Sequence, residues 1–154
     1  MGVSPAPPAS SDHDVSDPGV TLLRVEAGSA DAISPAFAKA VEGGAEALLT
    51  FPHVFAFFHR RRIAELAALH RLPAMYGWRE YAEAGGLMAY GPNVAATVRR
   101  AASFVDRIIK GADPANLPIE QPTKFELVVN RKSARALGLD LPLTLLARAD
   151  DVIE

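Results

Sequence analysis

The chain has 154 residues, of which 49% are hydrophobic and 22% charged, and its formal net charge is -2. That length suffices for about one domain, and the composition argues against disorder of the whole chain. The small net charge gives no reason to expect a nucleic acid or an acidic membrane as a partner. Because cysteine is absent, disulfides and thiol chemistry are excluded.

Residues 1–19 differ in composition from the remainder of the chain. They are rich in Pro, Ser and Asp and contain neither the basic nor the apolar segment of a secretory signal peptide. We predict a disordered lead-in over residues 1–19 and a folded domain over residues 20–154. As encoded, without a signal peptide, the chain is expected to be cytoplasmic.

From residue 20 onward, strand-like and helix-like segments alternate. Apolar and β-branched runs predict strands over residues 20–25, 47–51, 73–76, 87–90 and 125–129. Caps, helical spacing and glycine stops predict helices over residues 36–41, 59–71, 78–84, 94–110, 131–137 and 142–149. This alternation is typical of βαβ units, so we predict an α/β fold around a mostly parallel sheet.

The helix that follows Asn93 has the clearest pattern. Its apolar residues recur at steps of four and three positions, at Val94, Val98, Ala101, Val105 and Ile108. Asn93 is a good N-cap, and Lys110-Gly111 is a typical helix end.

Two of the predicted strands end in the same pair, Tyr76-Gly77 and Tyr90-Gly91. The carboxyl ends of parallel strands are where α/β domains bind ligands. A tyrosine there can stack on a ligand and offer its hydroxyl, and a glycine lets a ligand approach the backbone. The alternative is that the glycines serve tight turns and the tyrosines pack at the margin of the sheet.

Three further residues follow strands in the same way. Asn93 either directs a helix N-terminus at an anionic group such as a carboxylate, or only caps its helix. Thr50 and Phe51 lie at the end of the strand predicted at 47–51 and are placed at a cleft by the same logic. Phe51 is equally compatible with a core position, together with Val54, Phe55 and Phe58.

Residues that would indicate catalysis are not found. The sequence contains no GxSxG, HExxH, Walker-type or GxGxxG motif, and its four histidines lack the spacing of metal ligands. Residues 60–62 are consecutive arginines that fan out around a helix, so they indicate a solvated helix start rather than a nucleic-acid site. We predict no enzyme activity, no metal and no cofactor.

Several phrases of the sequence together resemble a known family. They are residues 76–81 (YGWREY), 84–93 (AGGLMAYGPN), 110–118 (KGADPANLP) and 121–130 (QPTKFELVVN). Over residues 20–154 the chain is similar to the C-terminal part of ABC transporter substrate-binding proteins of the tryptophan/tyrosine uptake type.

The resemblance implies a type I periplasmic-binding-protein fold, in which three crossing strands join two lobes and the ligand lies between them. Such proteins are exported to the periplasm or cell envelope and deliver a small solute to an ABC permease. Relatives often carry an acidic residue near position 51 that could pair with an amino-acid ammonium group, whereas this chain has Phe51 and His53. This departure weakens the prediction of an α-amino-acid ligand and allows a more apolar or aromatic one. The matched part comprises half of the distal lobe, the crossings and the return segment, and the first lobe is largely missing.

The resulting prediction is a truncated solute-binding component of an ABC uptake transporter that captures an amino acid or an aromatic or organic acid. The predicted ligand-binding residues are Thr50, Phe51, Tyr76, Gly77, Tyr90, Gly91 and Asn93. A stand-alone α/β module that binds a small molecule or a protein without transport, and a small flavodoxin-like enzyme, remain as alternatives. Apolar surface on the 94–108 helix and the 125–129 strand would lack its first-lobe partner, so self-association is also expected.

Overall fold

The computed structural model describes residues 19–154. Its helices are α1 (Ala30–Glu42), α2 (Val54–Phe58), α3 (Arg60–Leu69), α4 (Arg79–Glu83), α5 (Val94–Ile109), α6 (Arg131–Leu137) and α7 (Leu143–Leu146). Its strands are β1 (Leu48–Leu49), β2 (Ala74–Tyr76), β3 (Met88–Pro92), β4 (Phe125–Asn130) and β5 (Asp151–Ile153). Apart from Gly19, the lead-in predicted over residues 1–19 lies outside the described residues.

The strands form a five-stranded sheet in the order β1-β2-β3-β4-β5. Strands β1, β2 and β3 run parallel, β4 is antiparallel to β3, and β5 is parallel to β4. The predicted α/β fold with a mostly parallel sheet is therefore confirmed.

One face of the sheet carries the core. Side chains alternate along a strand and paired residues share a face, so Tyr76, Ala89 and Val128 all point to the same side. All three are buried, in one cluster with Phe37 of α1 and Leu66 of α3. We call this side the packed face.

The opposite face is covered much less. By the same alternation, Leu49, Met75, Tyr90 and Phe125 point away from the packed face. Leu49, Tyr90 and Phe125 are exposed. Val129 also lies on this side but is buried, so the uncovered part is the half near the carboxyl ends of β1 to β3. We call this half the open face.

Helix α5 forms where the sequence predicted it, yet none of its residues is buried. The apolar residues Val98, Val105 and Ile108 are exposed. By contrast, α3 buries Ile63, Leu66 and Ala67, the residues whose spacing predicted it. The expected apolar surface is thus present on α5. On β4 only Phe125 contributes to it, because Val128 and Val129 are fully buried.

The strand predicted at 20–25 is wrong, since these residues have no regular secondary structure. A strand needs a neighbour with which its backbone can form hydrogen bonds, and β1 pairs only with β2. Val20 and Leu22 are exposed accordingly.

Helix α1 starts at Ala30, earlier than the helix predicted over residues 36–41, and Pro35 lies inside it. Proline removes a backbone donor from the helix. The burial of Ile33 before it and of Phe37 after it offsets that loss, which explains why tertiary packing overrides the local signal.

Residues 51–58 also differ from the core interpretation. Phe51, Val54 and Phe58 are exposed, and α2, which was not predicted, has no buried residue. His53 caps α2, because its Nδ1 accepts a hydrogen bond of 3.2 Å from the Phe55 backbone N–H. The neighbouring arginines begin α3 on the surface, as expected.

Candidate functional site

A groove of about 220 Å³ lies on the open face, at the carboxyl ends of β1, β2 and β3. Its lining residues are Leu49, Thr50, Phe51, Pro52, Met75, Tyr76, Gly77, Tyr90, Gly91, Pro92 and Phe125. Six of the seven predicted ligand-binding residues are among them, and Asn93 is not. Three consecutive strand ends, far apart in sequence, are thus brought to one place.

Aromatic side chains form the walls of this groove. Tyr90 stacks on Phe125, with ring centroids 5.7 Å apart and an angle of 28° between the rings. Both rings remain accessible, since Tyr90 is 51% exposed. Phe51 is 77% exposed beside them. A flat apolar or aromatic group is what such walls contact most favourably.

Thr50 supplies a polar group to the otherwise apolar groove. Its Oγ1 is buried and has no hydrogen-bond partner among the described residues. Because this oxygen has almost no accessible surface, a solute in the groove could hydrogen bond to it only after a local rearrangement.

The two glycines have a packing role that the sequence did not indicate. A Cβ atom on Gly77 would lie 2.5 Å from Cγ of Pro52. On Gly91 it would overlap the carbonyl oxygen of Gly77. Both glycines therefore let neighbouring strand ends approach closely, which sets the width of the groove floor.

The Tyr76 ring belongs to the core. The residue is 1% exposed, and its ring stacks on Tyr81 with centroids 4.7 Å apart. Burial raises the pKa of Tyr76 well above its ordinary value and raises the pKa of Tyr81 to about 12. The two hydroxyls have no hydrogen-bond partner among residues 19–154. The ring is thus placed for packing, in contrast to the ligand-stacking role expected from sequence.

Asn93 caps α5, as predicted. Its Oδ1 accepts a hydrogen bond of 2.8 Å from the Ala96 backbone N–H. Its Nδ2 donates to both carboxylate oxygens of Glu126, at 3.1 Å each. The amide is therefore fully engaged within the protein, beside the groove rather than in it.

An ion cluster lies next to Asn93. Arg79 contacts Glu83, Glu126 and Asp151, and these hydrogen bonds and charges, the one to Glu83 foremost, raise the pKa of Arg79. Glu83 lies four residues along the same helix, whereas Glu126 and Asp151 come from β4 and β5, and only the fold brings these two within reach.

Five groove residues were missed: Leu49, Pro52, Met75, Pro92 and Phe125. Phe125 was recognised as the start of a strand, but its position opposite Pro92 depends on the antiparallel pairing of β4 with β3. No short-range signal encodes a pairing between residues so distant in sequence. The alternation of Met75 with Tyr76 was the one available indication of which side chain faces the groove.

A second depression of about 440 Å³ lies near the amino ends of β2 and β3, between α3 and α6. Small residues of these helices, such as Ala67 and Ala136, line much of it. Of the predicted ligand-binding residues it contains only Tyr76. The groove on the open face is therefore the better candidate.

Two general features bear on the kind of site. Across the described residues, no three His, Asp or Glu side chains come together in a group that could hold a metal ion. In the same part of the chain, no helix has both the length and the apolar character needed to cross a bilayer.

The solved structures most relevant here share the fold at low identity. A conserved domain protein from Vibrio cholerae has a TM-score of 0.74 at 20% identity, over 79% of this chain and 41% of that chain. An ABC domain from Streptococcus pneumoniae in complex with L-Trp has a TM-score of 0.73 at 20% identity, over 80% of this chain and 41% of that chain. A ligand-free, open substrate-binding protein with adhesive properties from Clostridium difficile has a TM-score of 0.56 at 16% identity, over 81% and 41%.

The chain thus spans about two fifths of the length of each of these structures. A comparison with curated proteins finds no match. The model of the family described as ABC transporter substrate binding protein matches residues 14–153, which is nearly the whole chain. This is a family of transport proteins rather than a class of enzymes, and the resemblance inferred from the sequence is confirmed. The chain belongs to the ABC transporter substrate-binding protein family.

Proposed function

We propose that this chain forms one wall of a solute-binding cleft in the substrate-binding component of an ABC uptake transporter. The observation that carries the proposal is the groove on the open face, where three parallel strand ends bring Thr50, Phe51 and Tyr90 together. The second wall would come from a first lobe, since the chain spans only about two fifths of the solved relatives. The site of action would then be outside the cytoplasm, beside an ABC permease.

The solute class follows from the chemistry of the groove. The exposed rings of Phe51, Tyr90 and Phe125 suit a flat apolar or aromatic group. We found no acidic side chain among the lining residues that would pair with an α-ammonium group. An aromatic acid without an ammonium group fits these features, and an aromatic amino acid would need an acidic partner from the first lobe. The L-Trp bound by the Streptococcus pneumoniae domain is consistent with this class.

A thermal-shift screen of amino acids and aromatic acids tests the proposal on two proteins. One is the chain itself, and the other is a fusion with the first lobe of a full-length family member. We expect the fusion to bind an aromatic solute and the chain alone to bind weakly or not at all, because a cleft requires both walls. Tight binding by residues 20–154 alone would instead favour the stand-alone module.

Substitutions in the fusion assign the groove residues. We expect Tyr90→Ala to weaken binding by roughly 1–3 kcal/mol through loss of stacking and hydrogen bonding. Tyr90→Phe keeps the ring and separates the two contributions. Leu69→Ala, at an exposed residue of α3 outside the groove, is the matched control. Unchanged affinity in Tyr90→Ala and Phe51→Ala, with folding intact, would place the site elsewhere.

A further inference from the structure

The side chain of Arg79 connects three elements that are distant in sequence, α4, β4 and β5. It belongs to α4 and is 27% exposed. Its Nε donates to Glu83 of the same helix at 2.9 Å, and its two terminal nitrogens donate to Glu126 of β4 at 3.2 Å and to Asp151 of β5 at 2.7 Å. One rigid guanidinium therefore holds three carboxylates, and this geometry suits arginine and not lysine.

Glu126 passes this connection on to α5. Its side chain is only 11% exposed, and its two oxygens also accept the hydrogen bonds from Asn93. Asn93 in turn caps α5 through Ala96. A continuous path thus runs from α4, on the packed side of the domain, to the first turn of α5.

This path matters because α5 has little else to hold it in place. No residue of α5 is buried, so its orientation depends on the two strands that flank it and on its N-terminal cap. Glu126 pairs with Gly91 in the ladder, directly after Phe125. The strand ends that carry the Arg79 contact therefore also carry the Tyr90–Phe125 stack on the opposite face.

We propose that Arg79 is a positioning residue that, through Glu126 and Asn93, sets the orientation of α5 and of the β3–β4 strand ends relative to the packed part of the domain. The relevance of this orientation to a ligand rests on the proposed function. The orientation itself does not, because it can be measured without a solute. Since α5 leads away from the groove, the same residue would control how a second wall approaches the first.

Because the chain contains no cysteine, the orientation of α5 can be measured with two introduced spin labels. Lys39→Cys on α1 and Ala102→Cys on α5 are exposed positions outside the network. Pulsed electron paramagnetic resonance then gives the distribution of distances between the two labels, and so between α1 and α5. In Arg79→Met we expect this distribution to broaden roughly twofold, because the remaining links of α5 are the flanking backbone and the Arg100–Glu120 ion pair, which joins α5 only to the segment that follows it.

Two further variants separate the connection from general stability. Asn93→Asp retains an oxygen that caps α5 but places a negative charge against Glu126, so it should broaden the distribution as well. Arg61→Met breaks an exposed ion pair with Glu65 on α3, far from the path, and should leave the distribution unchanged. Hydrogen exchange of the Gly91 and Glu126 amides should rise in Arg79→Met and Asn93→Asp only.

Folding of each variant is checked by circular dichroism before the distances are compared. If Arg79→Met fails to fold, the distance distribution of Asn93→Asp decides whether the contacts of Glu126 set the orientation of α5. An unchanged distance distribution in a folded Arg79→Met, or in Asn93→Asp, overturns the proposal whether or not the groove binds a solute. Failure of the fusion to bind any solute, with the distances altered as expected, would overturn the proposed function alone.

Discussion

The packed face and the open face of the sheet carry similar apolar residues and differ in what lies against them. On the packed face, α1, α3 and α4 bury Tyr76, Ala89 and Val128. On the open face, Leu49, Tyr90 and Phe125 remain exposed although they come from the same strands. An apolar pattern therefore shows that a face is suited to burial, but it does not show which element will bury it.

Helices α3 and α5 repeat the same contrast. Both have apolar residues at helical spacing, and α5 has the better cap and the clearer pattern. Only α3 buries the apolar residues that lie on one side of the helix. Local signals suffice to form either helix, and the energy of packing is gained only where a partner exists.

The largest effect that tests this contrast is expected in the core. Leu66→Ala on α3 should lower the free energy of unfolding by roughly 2–5 kcal/mol, through lost apolar contact and a residual cavity. Val105→Ala makes a comparable truncation on α5 and should change it by less than about 0.5 kcal/mol. Urea titration of both variants measures the difference. A large decrease in the free energy of unfolding of Val105→Ala would show that α5 is covered in solution.

Close contact between the strand ends gives the next largest effect. In Gly91→Ala the new Cβ would overlap the Gly77 carbonyl, so the β2 and β3 ends must separate. We expect a loss of about 1–3 kcal/mol in the free energy of unfolding, the usual range for overpacking. Gly28→Ala is the control, because a Cβ there has no atom within 4 Å. Equal stability of both variants would show that the groove floor is not tightly packed.

Exposed apolar surface on α5 and the open face should make the isolated chain self-associate. Analytical ultracentrifugation should show larger species as concentration rises. Replacing Val98 and Val105 by Lys should weaken association about tenfold or more, equal to ~1.4 kcal/mol. A compact wild-type monomer at high concentration, with cooperative unfolding, would contradict this expectation.

The smallest effect concerns the unpaired hydroxyl of Tyr81. Tyr81→Phe removes a buried group with no hydrogen-bond partner among the described residues, so stability should stay equal or rise by up to about 1 kcal/mol. Because burial raises its pKa from 10.0 to about 12, ionisation is harder in the folded protein than in the unfolded chain. The contribution of Tyr81 is thus complete below pH 10 and is lost as the pH rises towards 12.

The free energy of unfolding, measured between pH 8 and 12, checks whether stability falls as the pH rises. The wild type should lose stability over the alkaline part of that range, and Tyr81→Phe should lose less. Identical profiles for the two proteins would show that the Tyr81 hydroxyl reaches solvent or a partner.

Much of the α/β fold could be predicted from local patterns. The Asn93 cap, the Gly138 end of α6 and the spacing along α3 each report on a few neighbouring residues, and each agrees with the structure. Predictions failed where a distant segment decides the outcome. Residues 20–25 have the composition of a strand but no pairing partner, and Pro35 sits inside a helix that burial of Phe37 stabilises.

The candidate groove shows the same division. The sequence by itself determined that the Tyr-Gly pairs lie near the carboxyl ends of two strands, although β3 continues through Pro92, and that both ends lie on the side where α/β domains usually bind ligands. Only the tertiary structure decided that Tyr76 is a core ring, that Gly77 and Gly91 pack against backbone and proline, and that Phe125 completes the wall. It also joined Arg79 to Glu126 and Asp151. The physical reason is range: turns and caps depend on residues a few positions apart, whereas burial and ion clusters depend on which strands become neighbours.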